Sequence, residues 1–488
     1  MRHLIAAAFL ACSASHSAGA VNVLLIVADD LGWRDVGYNG SEIRTPNIDA
    51  LADAGALMAR YYVQPTCSPT RASLMTGQSA LRNGILQPID KNNQQGLPLG
   101  RTTLPELFRS GGYQTALIGK WHLGHAFRDL LPRSRGFEQH YGHWLGGVGH
   151  WDHVHGGGLD WQRDGEPVRE QGYSTHLLTT ETVRLIEQRD PGKPFFYMLS
   201  YAAPHLPNEA PPLTIDAYQS IADHHRRRHA AMVDEMDRGI GQVVAAIDSQ
   251  GLSRDTLIWF MSDNGGLVTG SGFAAVDYLV ERLTDWLGDP LPVPSLEFLR
   301  SSIQDGGSDN GPYRRGKMSV YEGGVLVPSI VYWPGVITPK VIDQRVSVQD
   351  VLPTLLNAAG LPPATRQTLD GVDQWPLLAG TGSTLSSDLV TVGVDGEAYY
   401  QGDWKLIRNT RGIELYDLSL DPHEQDNLAE QEAEVADALL AELTSHPRGE
   451  SIHNTSLWLM LTDLDQFGGP ENRAPWAKRV RERPPPTQ

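Results

Sequence analysis

The sequence predicts an α/β fold, in which a large, mostly parallel sheet is flanked by helices and followed by a smaller antiparallel unit. Near-continuous apolar runs, such as residues 21–28, suit strands that are buried on both faces. Polar side chains follow several of these runs directly. After about residue 385 the pattern changes to short alternating strands separated by Gly-Asp and Arg-Gly turns.

Length and charge limit the classes of protein to consider. A chain of 488 residues can build a full hydrophobic core, so neither a metal nor a disulfide is needed to hold the fold. The net charge of −18 argues against non-specific nucleic-acid binding, which requires a basic face. We expect a catalytic domain over residues 21–385 and a C-terminal subdomain with a tail over residues 386–488.

The first 20 residues have the pattern of an export signal. A short apolar run follows Arg2 and ends in small residues, with an A-x-A-like site at Ala18-Gly19-Ala20. Cleavage near Ala20 would give a periplasmic or secreted protein, and no later run reaches the roughly 18 apolar residues of a membrane span. An uncleaved anchor and lipoprotein processing at Cys12 are the alternatives. Cleavage would leave Cys67 as the single cysteine, without a disulfide partner.

Four predicted strands end in chemically active side chains. Asp29 and Asp30 follow the strand at residues 21–28. A helix is then predicted to begin at Thr45-Pro46 and to run through Ile48, Leu51, Leu57 and Met58. The later strands, predicted at residues 115–119, 195–200 and 257–261, lead to the following residues: Lys120, His122, His205, Asp263 and Asn264. Ligands of open α/β sheets bind beyond the carboxyl ends of the strands, so we expect these side chains to converge.

The C-terminal part has a different pattern. Strands are predicted at residues 404–408 and 413–418, and a helix at residues 431–443. This combination predicts a small antiparallel sheet covered by a helix. The Pro-rich end of the chain is expected to be mobile.

The segment Cys67-Ser68-Pro69-Thr70-Arg71 carries the sharpest chemical signal. Ser68 is expected to cap a helix that ends at Gly77, which would place Cys67 at the helix N-terminus, where anions are attracted. That position can lower a thiol pKa for ordinary cysteine chemistry. The alternative is a buried and inert cysteine.

This segment and four others resemble the signature motifs of type I sulfatases, in which the cysteine is oxidised to formylglycine. The likeness runs through nearly the whole mature chain, and outside the core motifs it is closest to arylsulfatase B-like enzymes. The motifs are Val27-Ala28-Asp29-Asp30-Leu31-Gly32, Cys67-Ser68-Pro69-Thr70-Arg71, Gly119-Lys120-Trp121-His122-Leu123-Gly124, Asp263-Asn264-Gly265-Gly266 and Arg315-Gly316-Lys317. The resemblance implies an alkaline-phosphatase-like fold and maturation by a formylglycine-generating enzyme.

A metal site is predicted from the acidic strand ends. Carboxylate and amide oxygens suit Ca²⁺ or Mg²⁺ better than Zn²⁺, although an Asp pair can also be a solvated turn. The resemblance implies Ca²⁺, held by Asp29, Asp30, Asp263, Asn264 and the oxidised Cys67. The tetrapeptide Ser-Asp-Asn-Gly occurs at residues 262–265 and again at 308–311, and we assign the ligands to the first copy because it follows an apolar strand.

The resemblance also implies roles for the basic residues. Lys120 and Lys317 would bind the oxygens of the sulfate group, and Arg71 would hold the modified residue and its helix. Hydrated formylglycine has two hydroxyls on one carbon: one attacks sulfur, and deprotonation of the other expels sulfate. We assign His205 as the acid that protonates the leaving oxygen and His122 as the base.

Three segments have no assigned role. Residues 267–312 form a longer link than the motifs require, with helical spacing of Phe273, Val276, Val280, Leu283 and Leu287. This segment is a lid, a substrate-binding wall, a subunit contact or a plain packed insertion. Residues 140–155 are rich in His and Trp, which suits either sugar stacking or a packed loop. The run of arginines at residues 226–228 suits a solvated helix face or a polyanion contact.

The predicted function is hydrolysis of a sulfate ester, with a sulfated glycan as the substrate. Two alternatives remain at the level of sequence. One is a phosphonate or phosphate monoester hydrolase of the same superfamily. The other is a sulfoglycan-binding protein without activity, which the complete set of Cys67, His122, His205 and both lysines disfavours.

Overall fold

The computed structural model describes residues 20–269, 282–283, 285–288, 305–364, 367–384, 386–452 and 474–484. The predicted signal segment lies outside the described residues, as do most of the predicted insertion helix and the last four residues. Within the described parts of the chain, no helix combines the length and the apolar character that a membrane span requires.

A ten-stranded mixed sheet forms the centre of the molecule, with the order β13-β2-β12-β11-β1-β10-β4-β5-β8-β9. Five consecutive strands, from β11 to β5, run parallel. The strands of the sheet are β1 (Asn22–Ala28), β2 (Ala56–Met58), β4 (Gln114–Gly119), β5 (Gln139–Gly142), β8 (Gln162–Arg163), β9 (Glu166–Pro167), β10 (Phe195–Ser200), β11 (Thr256–Ser262), β12 (Ser329–Tyr332) and β13 (Lys340–Ile342). The predicted α/β fold is therefore confirmed.

Helices cover both faces of this sheet. Alternate residues of β1 belong to two separate hydrophobic cores, with Val23 and Leu25 in one and Leu24 and Ile26 in the other. The helices are α1 (Pro46–Ala54), α2 (Cys67–Thr76), α3 (Ala80–Asn83), α4 (Leu104–Ser110), α5 (Ser174–Glu187), α6 (Pro212–Asp216), α7 (His224–Ser249), α8 (Glu322–Val325), α9 (Val351–Ala358), α10 (Trp375–Leu378) and α11 (Ala433–Ser445). Residues of α1, α5 and α7 pack into one core, and residues of α2, α4 and α9 into the other.

The register of the central strands brings their carboxyl ends to one edge. Ala28 at the end of β1 lies opposite Ser262 at the end of β11. Ser200 at the end of β10 lies opposite Gly119 at the end of β4. The residues that follow these strands therefore start from neighbouring points, as parallel pairing requires.

The C-terminal unit is a separate four-stranded antiparallel sheet. Its strands are β15 (Leu389–Gly393), β16 (Gly396–Gln401), β17 (Trp404–Asn409) and β18 (Gly412–Asp417), in that order. The remaining short strands are β3 (Tyr61–Tyr62), β6 (Val154–His155), β7 (Gly158–Leu159) and β14 (Val346–Ser347). Lys405 of β17 is fully buried and pairs with Glu322 of α8 at 2.9 Å and with Glu424 at 2.6 Å. This network joins the antiparallel sheet to the first residue of α8.

One local expectation is corrected by the structure. The periodic segment after Thr45 is a helix only as far as Ala54, and Ala56–Met58 forms strand β2 beside β12. Gly55 separates the two elements, and a Cβ there would lie 2.6 Å from the Val331 carbonyl. Most of the Pro-rich end of the chain lies outside the described residues, and just before it Arg481 pairs with Phe127 in a β-bridge.

Candidate functional site

Helix α2 places Cys67 at the centre of the site. The helix begins at Cys67, with Thr66 in extended conformation before it, and ends at Gly77, whose N–H donates to Ser73 O at 2.8 Å. The predicted cap at Ser68 is wrong, since Ser68 lies inside the first turn. Its hydroxyl donates to the His122 carbonyl at 2.8 Å and accepts from the Ile89 N–H at 3.0 Å, which ties the helix start to two loops.

Asp29 lies directly beside the cysteine. Its Oδ1 is 3.5 Å from Cys67 Sγ, and its Oδ2 accepts from Lys120 Nζ at 2.7 Å. The side chains of Asp29 and Lys120 are both fully buried. Such a pair is held only where each charge has a partner, because desolvation of a single ion is costly.

Asp30 makes a second set of contacts on the other side of the cluster. Its Oδ2 accepts from Lys317 Nζ at 2.6 Å, and its Oδ1 accepts from Asn264 Nδ2 at 2.7 Å. His205 Nε2 lies 3.7 Å from Asp30 Oδ2. The backbone of Asp30 has a φ of 67°, in the left-handed region that is uncommon for a non-glycine residue.

Arg71 connects the helix to three strand ends. Its guanidinium donates twice to Asp263 Oδ2, at 2.9 Å and 2.8 Å. It also donates to the Lys120 carbonyl at 3.1 Å and to Ser200 Oγ at 2.7 Å. Arg71 is 1% exposed, so its role is to hold the site together rather than to meet a large ligand.

Burial and neighbouring charges shift the pKa values of the acids and the thiol. Burial, with the Asp263 carboxylate second, raises the pKa of Asp29 to about 7. Burial also raises the pKa of Asp30, but the cations Lys317, His205 and Lys120 outweigh it and lower the pKa overall. Burial, again with Asp263 as the next cause, raises the pKa of the Cys67 thiol well above its usual range.

The two histidines of the site are oriented by backbone carbonyls. His122 Nε2 lies 3.1 Å from Ile89 O, and His205 Nδ1 lies 2.7 Å from Leu206 O. A carbonyl only accepts, so these ring nitrogens carry the proton and the opposite ones are free to accept. The pKa of His122 is lowered, first by burial and then by Lys120, and that of His205 is lowered first by burial and then by Lys317.

The residues present fit a hard divalent cation. Ligand atoms of Asp29, Asp30, Cys67 and His205 all lie within 4.8 Å of one another. Asn264 Oδ1 is buried and has no hydrogen-bond partner among the described residues, which leaves an oxygen donor available. Asp263 Oδ2 accepts twice from Arg71, whereas Oδ1 accepts only from the Asp30 N–H at 3.2 Å and keeps an acceptor site that a cation could use. Oxygen-rich donors of this kind suit Ca²⁺.

Two glycines pack against the two histidine rings of the site, and no sequence motif indicated them. A Cβ at Gly146 would lie 2.7 Å from His122 Cε1, and one at Gly147 would lie 3.0 Å from His205 Cε1. Larger residues would therefore displace these two imidazole rings. The Ile89 carbonyl was missed as well, because a backbone acceptor leaves no signal in the sequence.

The second Ser-Asp-Asn-Gly copy supports the first. Asn310 Oδ1 accepts from the Gly266 N–H at 2.8 Å, and its Nδ2 donates to the Gly266 carbonyl at 2.9 Å. Ser308 N–H donates to the Leu267 carbonyl at 3.1 Å. The two described ends of the segment 267–312 therefore lie next to each other beside Asn264. The second tetrapeptide has a structural role there.

Most of the His- and Trp-rich segment is packed. His140, His143, His150 and His153 are buried, whereas Trp151 is 45% exposed. The packed-loop interpretation thus holds for the four histidines. In the arginine run, Arg226 donates to Asp35 and to Glu42, so it serves an internal network.

Comparison with known proteins identifies the relatives of the chain. A family model described as Sulfatase matches residues 21–361. Mouse arylsulfatase J is 32% identical over 369 residues, covering 73% of this chain and 56% of that protein. Mouse N-acetylgalactosamine-6-sulfatase is 31% identical over 381 residues, covering 73% of this chain and 66% of that protein. The chain thus spans between about half and two thirds of these relatives' length.

One solved structure is similar to this chain over nearly the full length of both proteins. The crystal structure of Ps i-CgsB in complex with k-i-k-neocarrahexaose superimposes with a TM-score of 0.77 at 27% identity. The match covers 92% of this chain and 99% of that one. The similarity therefore includes the C-terminal part of the chain as well as the large sheet.

The free Asn264 oxygen gives a test of the metal site. Asn264→Ala is expected to weaken Ca²⁺ binding by roughly tenfold or more, since even outer-shell partners of a metal contribute factors of that size. Calorimetric titration of chelator-treated protein measures the affinity. Asp309→Asn, in the second tetrapeptide, is the matched control and should bind as the unsubstituted chain does. Equal affinity in Asn264→Ala would contradict the assigned ligand.

Proposed function

The chain belongs to the sulfatase family, and from this membership we propose that it is a hydrolase that releases inorganic sulfate from a sulfated glycan. The observation that supports this proposal best is the position of Cys67. It begins a buried helix and lies in a cluster where three carboxylates meet three cations. Around it are two histidines, each with one ring nitrogen that is not hydrogen-bonded to a backbone carbonyl.

The charges of the cluster suit an anionic substrate. Asp29, Asp30 and Asp263 are balanced by Lys120, Lys317 and Arg71. We propose that Ca²⁺, held by Asp29, Asp30, Asp263, Asn264 and residue 67, supplies Lewis-acid polarisation when it is bound. The two lysines then become available to hold sulfate oxygens and to stabilise the charge that develops in the transition state.

The state of Cys67 supports its proposed oxidation. A buried thiol whose pKa is raised is a poor nucleophile at neutral pH, because the thiolate is the reactive form. Ordinary cysteine chemistry is therefore disfavoured at this position. Formylglycine would supply, in its hydrated form, an oxygen nucleophile and a second hydroxyl for release of sulfate.

His205 is proposed as the acid for the leaving oxygen. Its Nδ1 proton is committed to the Leu206 carbonyl, so Nε2 is the nitrogen that gains and gives up a proton. Nε2 is 3.7 Å from Asp30 Oδ2, whose negative charge favours the protonated ring. We propose that the negative charge of a bound sulfate ester raises the pKa of His205 and so offsets the opposite effects of Lys317 and Ca²⁺.

His122 is proposed as the base. Its Nε2 donates to the Ile89 carbonyl, and Nδ1 is buried and has no hydrogen-bond partner within the described residues. The lowered pKa keeps the ring neutral, so that Nδ1 can accept a proton from the second hydroxyl at position 67. Arg71 is proposed to position residue 67 and Asp263.

A glycan is the proposed substrate class. The similar structure was solved in complex with k-i-k-neocarrahexaose, and one relative is named N-acetylgalactosamine-6-sulfatase. We further propose export, with cleavage near Ala20, and maturation by a formylglycine-generating enzyme. Both proposals rest on the sequence patterns of residues 1–20 and 67–71.

Mass spectrometry tests the proposed modification. The peptide that contains Cys67 is expected to show the mass of the aldehyde or its hydrate in protein produced together with a formylglycine-generating enzyme. Protein produced without that enzyme is the control and should retain the thiol. An active preparation that contains only the thiol would overturn the proposed mechanism.

A comparison of two esters that share the 4-nitrophenol leaving group but differ in the acid, sulfate or phosphonate, tests the reaction class. The value of kcat/KM is expected to be higher for 4-nitrophenyl sulfate than for a 4-nitrophenyl phosphonate ester, with Cys67→Ala inactive on both. Release of sulfate from a panel of sulfated oligosaccharides then identifies the glycan. Preference for the phosphonate would support the alternative hydrolase instead.

The role of His205 is tested by the pKa of the leaving alcohol. His205→Ala is expected to lower kcat by about 10²–10⁴-fold on a sugar sulfate, the usual contribution of general acid catalysis. The loss should be much smaller on 4-nitrophenyl sulfate, because nitrophenolate leaves without protonation. His224→Ala, at an exposed position, is the control. Equal losses on both substrates would argue against the acid role.

A further inference from the structure

A second cavity lies away from the site described above. It has a volume of about 390 Å³ and is bounded by the end of α4, the loop before β5, β5 itself and the turn between β8 and β9. Leu131, Pro132, Phe137 and Trp144 form its apolar wall. None of its lining residues belongs to the catalytic cluster. Its volume is in the range of small-ligand pockets, about 300–1,000 Å³.

Trp144 in this wall has an unpaired donor. Among the buried tryptophans of the described residues, the indole N–H groups of Trp121, Trp161, Trp259 and Trp476 all donate, to Leu130 O, Glu170, Ser329 and His155 O respectively. Trp144 is 2% exposed, and its Nε1 has no hydrogen-bond partner in the described part of the chain. A buried donor without an acceptor is costly, which indicates a missing partner.

His140 supplies the complementary acceptor. Its Nε2 lies 3.2 Å from the Gly119 carbonyl and must donate to it, so Nδ1 carries a lone pair. That Nδ1 is buried and has no donor among the described residues. The ring centroids of His140 and Trp144 are 6.4 Å apart, and both residues line the cavity. A group that both accepts and donates, such as a hydroxyl, satisfies this pair.

Three arginines line the cavity. Arg109, Arg128 and Arg133 lie there together with Glu138 and Asp164, and Glu482 balances Arg128 from outside the lining. Arg128 pairs with Glu482 at 2.5 Å, and Arg133 lies 3.9 Å from Asp164. These ion pairs are exposed and therefore weak, so an anionic ligand can compete for the guanidinium groups.

We propose that this cavity is a second, non-catalytic site for one anionic saccharide unit. A sugar hydroxyl would accept from Trp144 Nε1 and donate to His140 Nδ1. A sulfate or carboxylate on the same unit would meet the arginines, and the apolar wall would cover the C–H face of the ring. An inorganic anion lacks this face, and a water molecule would satisfy the buried pair without engaging the arginines. The choice of a saccharide as the ligand rests on the proposed function, whereas the binding test below requires no turnover at Cys67.

The site is joined to the catalytic segment through the backbone. The Trp144 carbonyl accepts from the His122 N–H at 3.0 Å, and His140 donates to the carbonyl of Gly119, the residue before Lys120. A glycan held there would remain on the protein between cleavage events. This arrangement suits a polymeric substrate.

Indole N–H resonances test the proposal without any turnover. The Cys67→Ala protein, labelled with ¹⁵N-tryptophan, is titrated with sulfated hexasaccharides of the carrageenan, chondroitin and fucan types. Trp144 is assigned by the resonance that Trp144→Phe removes. We expect the Trp144 resonance to shift with at least one sulfated hexasaccharide, and not with uncharged neoagarohexaose or with sodium sulfate alone.

Charge variants complete the test. Arg109→Gln combined with Arg133→Gln is expected to weaken that binding by roughly tenfold, the effect of losing charge-assisted hydrogen bonds. Arg169→Gln combined with Arg254→Gln removes two exposed arginines elsewhere and should leave it unchanged. A Trp144 resonance that stays fixed with all three sulfated sugars overturns the proposal. Equal shifts with sodium sulfate or neoagarohexaose, or equal affinity of the two double variants, overturn it too.

Discussion

The buried ion pair between Arg71 and Asp263 is the interaction on which the rest of the site depends. Arg71 comes from helix α2 and Asp263 from the end of β11, and both side chains are almost completely excluded from solvent. The same guanidinium reaches the Lys120 carbonyl and Ser200 Oγ, at the ends of β4 and β10. One side chain therefore fixes the helix that carries Cys67 against three parallel strands. Only a planar, permanently charged group with several donors can do this, which is why lysine would not be equivalent.

Charge balance follows from that arrangement. Asp263 is neutralised by Arg71, so Asp29 and Asp30 are left to Lys120 and Lys317. The two aspartates respond in opposite directions, since the pKa of Asp29 is raised and that of Asp30 is lowered. The difference arises because burial dominates at Asp29, whereas the nearby cations dominate at Asp30. A balanced cluster of this kind gains net positive charge when a divalent cation joins it, and it then attracts an ester that carries negative charge.

The sequence predicted the parts of the site that are set by strands buried on both faces. Apolar runs are unmistakable at β1, β10 and β11, and parallel pairing brings their ends together whatever the loops contain. It could not predict contacts made by backbone groups far along the chain, such as the Ile89 carbonyl that orients His122. The role of Ser68 was missed for a related reason, since a cap and a first-turn serine look alike until the loops around them are placed. Gly146 and Gly147 give no motif of their own, and only the close approach of two imidazole rings explains them.

The burial of Cys67 also constrains how it could be modified. The residue is 1% exposed and lies in the first turn of a helix whose ten residues are all buried. An enzyme that oxidises Cys67 has to reach its Sγ, and α2 cannot be drawn away from the sheet without breaking the Arg71–Asp263 pair and leaving a charge unpaired in the core. The proposed oxidation therefore has to precede the packing of α2 against the sheet. Maturation before folding is also the order that a chain crossing a membrane in unfolded form would allow, which links the pattern of residues 1–20 to the chemistry of residue 67.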